Sequence, residues 1–428
     1  MTGTAYHNIR SSMTEPPSGC PVDHHFTPLD PDYVAAPYPV ANRLRDNTPV
    51  VYAEPFGYVV VSRMDLVNEV FLDPQVYSSA NVQDPVFPTC AEAAAILAAE
   101  DFDPVAVMSN RQEPDHSRIR QYTKKGFSNR RSRTLEPYIR RRANELVDEM
   151  LRAGSPADII AALAYPLPAE VVFRFMGFPE GDDEQLKAWC TNRLAFSWGR
   201  PTAEEQVAIA ENMLTYWRYV REFTRAKREH PGDDFASELI ADHEANPDDL
   251  TYREVESILY GLSFAGHEPV TFLLGNAMLS LLPRREDWNA ICEDPGLIPG
   301  ALEEVIRWNS PQIGWRRVTT RDTTLGGVDV PEGTQVFLNL GAANHDPEEF
   351  TDPESFDIRR PDARNNISFG KGNHYCLGAK FARFEAKLVF EELTRRVPSL
   401  RLVADQEITR FANISFRGPS TLLVAWDE

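Results

Sequence analysis

The chain has no run of about eighteen apolar residues, the least that crosses a bilayer as a helix, so a membrane-spanning reading is excluded. Its first residues, Met1-Thr2-Gly3-Thr4-Ala5-Tyr6-His7, lack the basic start and apolar stretch of a secretory signal, and a cytoplasmic location is expected. Cysteine is scarce. Five of 428 residues, Cys20, Cys90, Cys190, Cys292 and Cys376, lie far apart with no Cys-x-x-Cys pair. This argues against a disulfide framework and structural zinc, and it fits a reducing compartment. Positive charge is in deficit, with 44 Lys and Arg against 64 Asp and Glu, and the net charge of −20 opposes nucleic-acid binding. One stretch reverses the balance: from Arg111 to Arg142, eleven basic residues face three acids, Glu113, Asp115 and Glu136.

What remains is a chain with 42% hydrophobic residues, enough for a substantial core. Residues 1–28, rich in Pro, Ser, Gly and His, read as a flexible arm. Val50-Val51-Tyr52 and Tyr58 to Val61 are β-branched and alternating, so they predict a hairpin. Residues 82–110 hold three prolines together with Phe87 and Phe102. Residues 135–240 read as successive helices, with Leu194 to Gly199 as a loop carrying Phe196 and Trp198. Thr251-Tyr252-Arg253-Glu254 is a capping box that opens a helix running to about Leu282, ended by Pro283. Thr324 to Val330 and Thr334 to Asn339 read as strands.

The most distinctive segment is Phe369-Gly370-Lys371-Gly372-Asn373-His374-Tyr375-Cys376-Leu377-Gly378. Its single thiol precedes a good helix-forming run from Ala379, where unpaired N–H groups and the helix dipole favour a thiolate. Gly370, Gly372 and Gly378 permit angles and approaches that a Cβ would forbid. Phe369 and Tyr375 would wall the sulfur from water. A lone thiolate so held suits one axial bond to haem iron.

The pattern Phe-Gly-x-Gly-x-His-x-Cys-x-Gly resembles the haem-binding loop of the cytochrome P450 superfamily, in its soluble bacterial form. The resemblance implies a mainly α fold with small β-sheets, a triangular prism-like single haem domain over 29–428, with haem b held by Cys376. It assigns Pro31 to Arg45 to the first helix region. It implies propionate anchors at His116, Arg120, Arg317 and His374, and cofactor contacts at Phe369, Gly370 and Gly378. It implies a structural Glu304-x-x-Arg307 pair. The third partner of that pair, in a Pro-Glu-Arg-Phe-like segment of the family, is replaced here by Pro353-Glu354-Ser355-Phe356, with Arg359 or Arg360 as substitutes. The substrate pocket is expected from Phe87, Phe102, Phe196, Phe264, Ile313, Gly314 and Phe411.

The chief departure lies at the centre of the long helix, Ala265-Gly266-His267-Glu268-Pro269, where the family pattern is Ala-Gly-x-(Asp/Glu)-Thr. Proline lacks the N–H that would reach the carbonyl of Ala265, so a kink and a groove are expected. It also lacks the hydroxyl with which the family assists O–O cleavage. Protons must then come from Glu268, Thr271, His267, water or the substrate. Thr271 lies about 200° around the helix from Pro269 and ranks below water and Glu268.

A Glu-Pro pair at this place is similar to that of bacterial enzymes that O-demethylate methoxyphenols. The expectation is a monooxygenase acting on a small apolar or aromatic substrate, with methoxylated phenols preferred. Alternatives are a peroxide-driven peroxygenase, a hydroxylase tailoring a natural product, and a non-catalytic haem gas sensor. The co-substrate is O2 or hydrogen peroxide. No flavin or iron–sulfur module is recognised, so a separate ferredoxin or flavodoxin and a reductase are expected, docking near Lys124, Lys125 and Arg130.

Overall fold

A computed structural model describes residues 15–190 and 193–427. Helices dominate. Those that build the site are α1 (Asp115–Gly126), α2 (Asn129–Ala153), α3 (Pro166–Met176), α4 (Asp183–Cys190), α5 (Arg193–Trp198), α6 (Ala203–Glu229), α7 (Tyr252–Leu281), α8 (Ile298–Trp308) and α9 (Ala379–Arg396).

The largest sheet has six strands: β1 (Val22–Asp23), β2 (Val50–Ala53), β3 (Tyr58–Val61), β4 (Tyr77–Ser78), β5 (Trp315–Thr319) and β6 (Gln335–Leu338), in the order β1-β2-β3-β6-β5-β4. The β2–β3 pair is the antiparallel hairpin read from the alternating valines, in register from Val50 opposite Val61 to Ala53 opposite Tyr58. Every residue of β2 and β3 is buried, which is why both faces are apolar. Thr323–Leu325 and Val328–Val330 form a separate two-stranded ribbon.

Two expectations need correction. Residues 1–14 of the anticipated arm lie outside the described residues, but the part before 28 is packed. Val22 and Asp23 pair in parallel with Tyr52 and Ala53, and Phe26 is buried against Tyr33, ring centroids 5.2 Å apart. The segment around Leu194 is a helix rather than a loop.

Helix α7 forms the axis of the molecule. Its start is fixed by the capping box: the Thr251 hydroxyl accepts from the N–H of Glu254 at 3.2 Å, and the Glu254 carboxylate accepts from the N–H of Thr251 at 2.9 Å. The helix continues through Pro269. Gly266 sets how closely α3 approaches, because a Cβ there would lie 2.4 Å from Cγ2 of Val172. Twenty-one of its thirty residues are buried, so its stability comes from packing rather than from propensity.

Candidate active site

Cys376 sits near the end of a tight loop over residues 367–378 that closes onto α9. Its N–H donates to the carbonyl of Phe369 at 3.0 Å. The turn needs left-handed backbone at Gly370 (φ 69°) and Gly372 (φ 67°). Gly378 has ordinary helical angles, and its role is spatial: a Cβ would stand 3.8 Å from the sulfur and 3.8 Å from Phe127, inside the cavity that the sulfur faces. Cys376 is accessible to this cavity while lying deep in the protein. Burial pushes its thiol above the usual range, opposed by the backbone N–H groups of Gly378 and Ala379 and by Arg120 and Arg383. A coordinated metal deprotonates such a thiol outright. Arg383 lies over the Phe369 ring at 4.2 Å and is tied to Glu303 at 2.6 Å.

The cavity measures about 340 Å3 and is mainly apolar. Ala265, Gly266 and Pro269 of α7 line it, as do Cys376, Phe369, Gly370 and Gly378 of the loop. So do Arg120 of α1, Arg317 of β5 and His374. Among the described lining residues there is no Asp, Glu or Lys. Arg317 is buried, its guanidinium donates among the described residues only to the carbonyl of Arg316 at 2.7 Å, and burial alone lowers it to about 9. Arg120 donates to the carbonyl of Tyr375 at 2.5 Å and is also lowered by burial.

His374 stacks on His116 with centroids 3.9 Å apart, and its Nε2 is 3.4 Å from the Ser79 hydroxyl. Burial, then the charge of Arg317, depresses His374 to about 3, so the ring is neutral at physiological pH. His116 does not line the cavity. It lies behind His374, its Nδ1 3.1 Å from Glu113 and its buried Nε2 without a partner among the described residues. Buried Arg317 and half-buried Arg120, neither with an ion-pair partner among the described residues, stand beside the imidazoles of His374 and His116 and form a site suited to anions. The two carboxylates of haem b fit that need, and the Gly378 cradle fits a flat ring against the sulfur.

The helix centre divides its residues. Ala265 and Pro269 face the cavity, whereas His267 does not. The His267 Nδ1 is bonded to the carbonyl of Ser263 at 2.7 Å, its ring packs edge-on to Tyr165 at 6.3 Å, and burial lowers it to about 4. The expectation that His267 serves the site is therefore corrected: it occupies the buried face toward α3. The Thr271 hydroxyl donates to the carbonyl of His267 at 3.3 Å and also lies off the cavity. Glu268 stands behind the cavity wall, where burial raises it to about 8, opposed by Arg193. Its Oε2 has no hydrogen-bond partner among the described residues.

The expected pocket walls are corrected more extensively. Phe264 lines the cavity, but Phe87, Phe102, Phe196, Ile313, Gly314 and Phe411 do not. Phe87 lies under the Arg200 guanidinium at 4.9 Å. Phe102 packs edge-on to Trp217 and Tyr260. Phe196 is in the core, and Phe411 is 49% exposed beside Phe272. The N–H of Ile313 donates to the carbonyl of Ser415 at 2.7 Å, which turns that residue into the core. Gly314 is pressed against Phe337, where a Cβ would come within 2.3 Å. The aromatic wall consists instead of Trp198, Tyr260, Trp315 and Phe416 with Phe264. Trp198 and Trp315 are stacked, 4.7 Å apart. Arg193 also lines the cavity and was not singled out from sequence.

Beneath the loop, Glu304 and Arg307 are fully buried and joined twice at 2.8 Å. Of the two arginines left open by the sequence, Arg360 is the third partner, 3.1 Å from Glu304. The remaining Arg307 donors reach the carbonyls of Asn344, Pro353 and Ser355 at 3.0, 2.8 and 3.1 Å.

The family model described as Cytochrome P450 matches residues 297–397, from the Glu304 helix through the thiolate loop into α9. Cytochrome P450 107B1 of Saccharopolyspora erythraea is 35% identical over 369 residues, 85% of this chain and 88% of that protein. The solved structure of cytochrome P450 CREJ in complex with (4-ethylphenyl) dihydrogen phosphate superposes with a TM-score of 0.90 at 38% identity, covering 94% of this chain and all of that one. An intact type IV self-sufficient cytochrome P450 monooxygenase superposes at 0.92 with 35% identity, covering 96% of this chain and 54% of that one.

Proposed function

The chain belongs to the cytochrome P450 family, and from that premise we propose that this monooxygenase oxidises a compact aromatic substrate, O-demethylation of a methoxylated phenol being the preferred reaction. The protein is an oxidoreductase that binds haem b through the Cys376 thiolate and takes a small-molecule substrate, dioxygen and electrons from redox partners. When bound, the haem supplies the activation of dioxygen and the transfer of one oxygen atom to a C–H bond. Arg120, Arg317 and His374 would hold its carboxylates, with His116 orienting His374 by stacking. Phe369, Gly370 and Gly378 would flank the ring.

The observation that carries the substrate reading is the ring of Trp198, Tyr260, Phe264, Trp315 and Phe416 around a cavity with few polar groups. Stacked and edge-on contacts select a planar apolar body. The CREJ neighbour, described with a para-substituted phenyl ligand, supports the same class. Hydroxylation of a methoxy methyl would give a hemiacetal, which collapses to a phenol and formaldehyde. Glu268 would supply protons through water, because burial keeps it protonated near neutrality and no hydroxyl stands at residue 269. A redox partner of acidic surface would dock at exposed Lys124 and Arg130, with Lys125 engaged to Asp242 at 2.8 Å.

Turnover of methoxylated phenols with ferredoxin, reductase and NAD(P)H, read as formaldehyde, tests the reaction; absence of product across such a panel overturns it. Cys376→His is expected to abolish turnover and remove the strongly red-shifted Soret band of the reduced carbon monoxide complex. Pro269 motivates a second reading, use of hydrogen peroxide directly. Turnover with ferredoxin and reductase but none with peroxide would exclude it.

A further inference from the structure

One carboxylate reaches the cofactor site from behind. Glu113 stands just ahead of α1, and its oxygens gather three contacts. Oε2 accepts from the N–H of Ser117 at 3.1 Å. Oε1 accepts from Nδ2 of Asn373, in the thiolate loop, at 2.7 Å, and lies 3.1 Å from Nδ1 of His116. Burial pushes its carboxyl up, but the bonds from Ser117, His116 and Asn373 outweigh it and hold the group at about 2. An ionised carboxylate thus joins the start of α1 to the loop that carries Cys376.

A carboxylate only accepts, so Nδ1 of His116 must carry a hydrogen. The neutral ring then presents a lone pair at Nε2, which is buried without a hydrogen-bond partner among the described residues. A lone pair is the wrong group to face an anion; an imidazolium, with hydrogen on both nitrogens, is the right one. Burial lowers His116 and Glu113 opposes it, while Arg120 of α1 and Arg317 of β5 lower it further, with the His374 ring stacked at 3.9 Å. The two carboxylates of haem b would offset those two guanidiniums. Glu113 is then left as one negative charge, which one proton on His116 balances. The next charges in this region are already matched: Arg111 and Arg118 both pair with Asp115 and Glu254.

We propose that Glu113 is a positioning residue that holds His116 as an imidazolium counter-charge to the haem carboxylates and fastens it to the thiolate loop through Asn373. Occupation of the site by haem therefore brings one proton from solvent onto His116. This rests on haem b as the cofactor and is independent of the substrate assigned above. His116 titrates higher with the anions present than without them. The stabilisation of bound haem is then complete below the lower value and is lost as pH rises through the higher one.

The test measures release of haem from ferric holoenzyme to excess apomyoglobin between pH 5 and 9. Wild type is expected to release haem about 10-fold faster at the alkaline end, the scale of one charge-assisted hydrogen bond. Glu113→Gln keeps an acceptor for Asn373 and removes the charge. Its haem loading should persist, and the rise should shrink to about twofold or less once no carboxylate is linked to the proton. Glu113→Asp, which keeps the charge, should keep most of the rise, and His116→Gln should abolish it. Rises that come from the other buried acids, Glu268 and Glu385, are common to all four proteins and drop out of the comparison. A purely structural contact would instead speed release equally at every pH. That uniform change in Glu113→Gln, with the wild-type rise intact, overturns the proposal, as does the absence of any rise in wild type. If Glu113→Gln fails to load haem, His116→Gln decides: a rise equal to that of wild type overturns the proposal, and a flat profile supports it.

Discussion

Glu304 and Glu268 are both carboxylates on buried helices near the thiolate loop, yet their surroundings are opposite. Glu304 faces two guanidiniums, Arg307 and Arg360, and also accepts from the N–H of Asp357 at 3.0 Å. Glu268 has an oxygen with no hydrogen-bond partner among the described residues, and burial lifts it to about 8. The first arrangement fixes a charge, and nothing about it needs to move. The second leaves a proton on a buried acid that can give it up. Unpaired burial alone does not mark chemistry, however. Glu385 of α9 is equally buried, also raised to about 8 by burial, and its Oε1 has no hydrogen-bond partner among the described residues. What separates Glu268 is position, behind the cavity wall and within the field of Arg193.

The comparison can be broken most forcefully at the paired site. Arg307→Ala leaves Glu304 facing Arg360 alone and frees three carbonyls, and a loss of about 3–5 kcal/mol is expected. Urea denaturation and haem loading measure it; a variant as stable as wild type would show the pair to be dispensable. At the unpaired site the prediction reverses. Glu268→Gln is expected to retain its folding stability at pH 7 and lose turnover by about 100-fold. Unchanged turnover with unchanged product would remove Glu268 from proton delivery.

A smaller change is expected at the neighbouring residue. Pro269→Thr returns a hydroxyl to the cavity wall and an N–H to the helix, and electron-driven turnover should rise severalfold relative to peroxide-driven turnover. A fall in both would show that the proline's backbone geometry matters more than the hydroxyl. The smallest effect is a pH slope. A carboxyl raised to about 8 in the fold contributes stability that is complete below the unfolded value of 4.5 and lost as pH climbs through 8. Glu385→Gln should therefore flatten the decline in melting temperature between pH 5 and 9, and a decline as steep as that of wild type would assign the slope elsewhere.

Much of this was legible in the sequence, because local chemistry carries it. The thiolate loop announces itself through glycines and one cysteine, and α7 through its capping box. The Glu304–Arg307 pair is an i, i+3 spacing that any helix brings together. The walls of the cavity were not legible, for a definite reason. Reading Leu194 to Gly199 as a loop discarded the helical period, in which Phe196 and Trp198 lie about 200° apart. Only one of them can face the cavity, and it is Trp198. Arg193 could have been found by the same period, since it lies four residues before Ser197. The choice of Trp315 over Gly314 depends on Phe337, and the burial of Phe411's neighbours depends on α7; such pairings are set by tertiary contact, which no local pattern reports. Arg360 could not be chosen over Arg359 for the same reason.

The carbonyls that receive Arg307 belong to Asn344, Pro353 and Ser355, and the second guanidinium on Glu304 comes from Arg360. Helix α8 alone cannot satisfy its own ion pair. Its charged face becomes affordable to bury only when residues 344–360 wrap over it, so the two form one cooperative unit. That unit ends sixteen residues before Cys376. A chain nicked or loosened anywhere in the wrap should release the cofactor along with the segment, and retention of haem then becomes a reporter of the integrity of a region that never touches it.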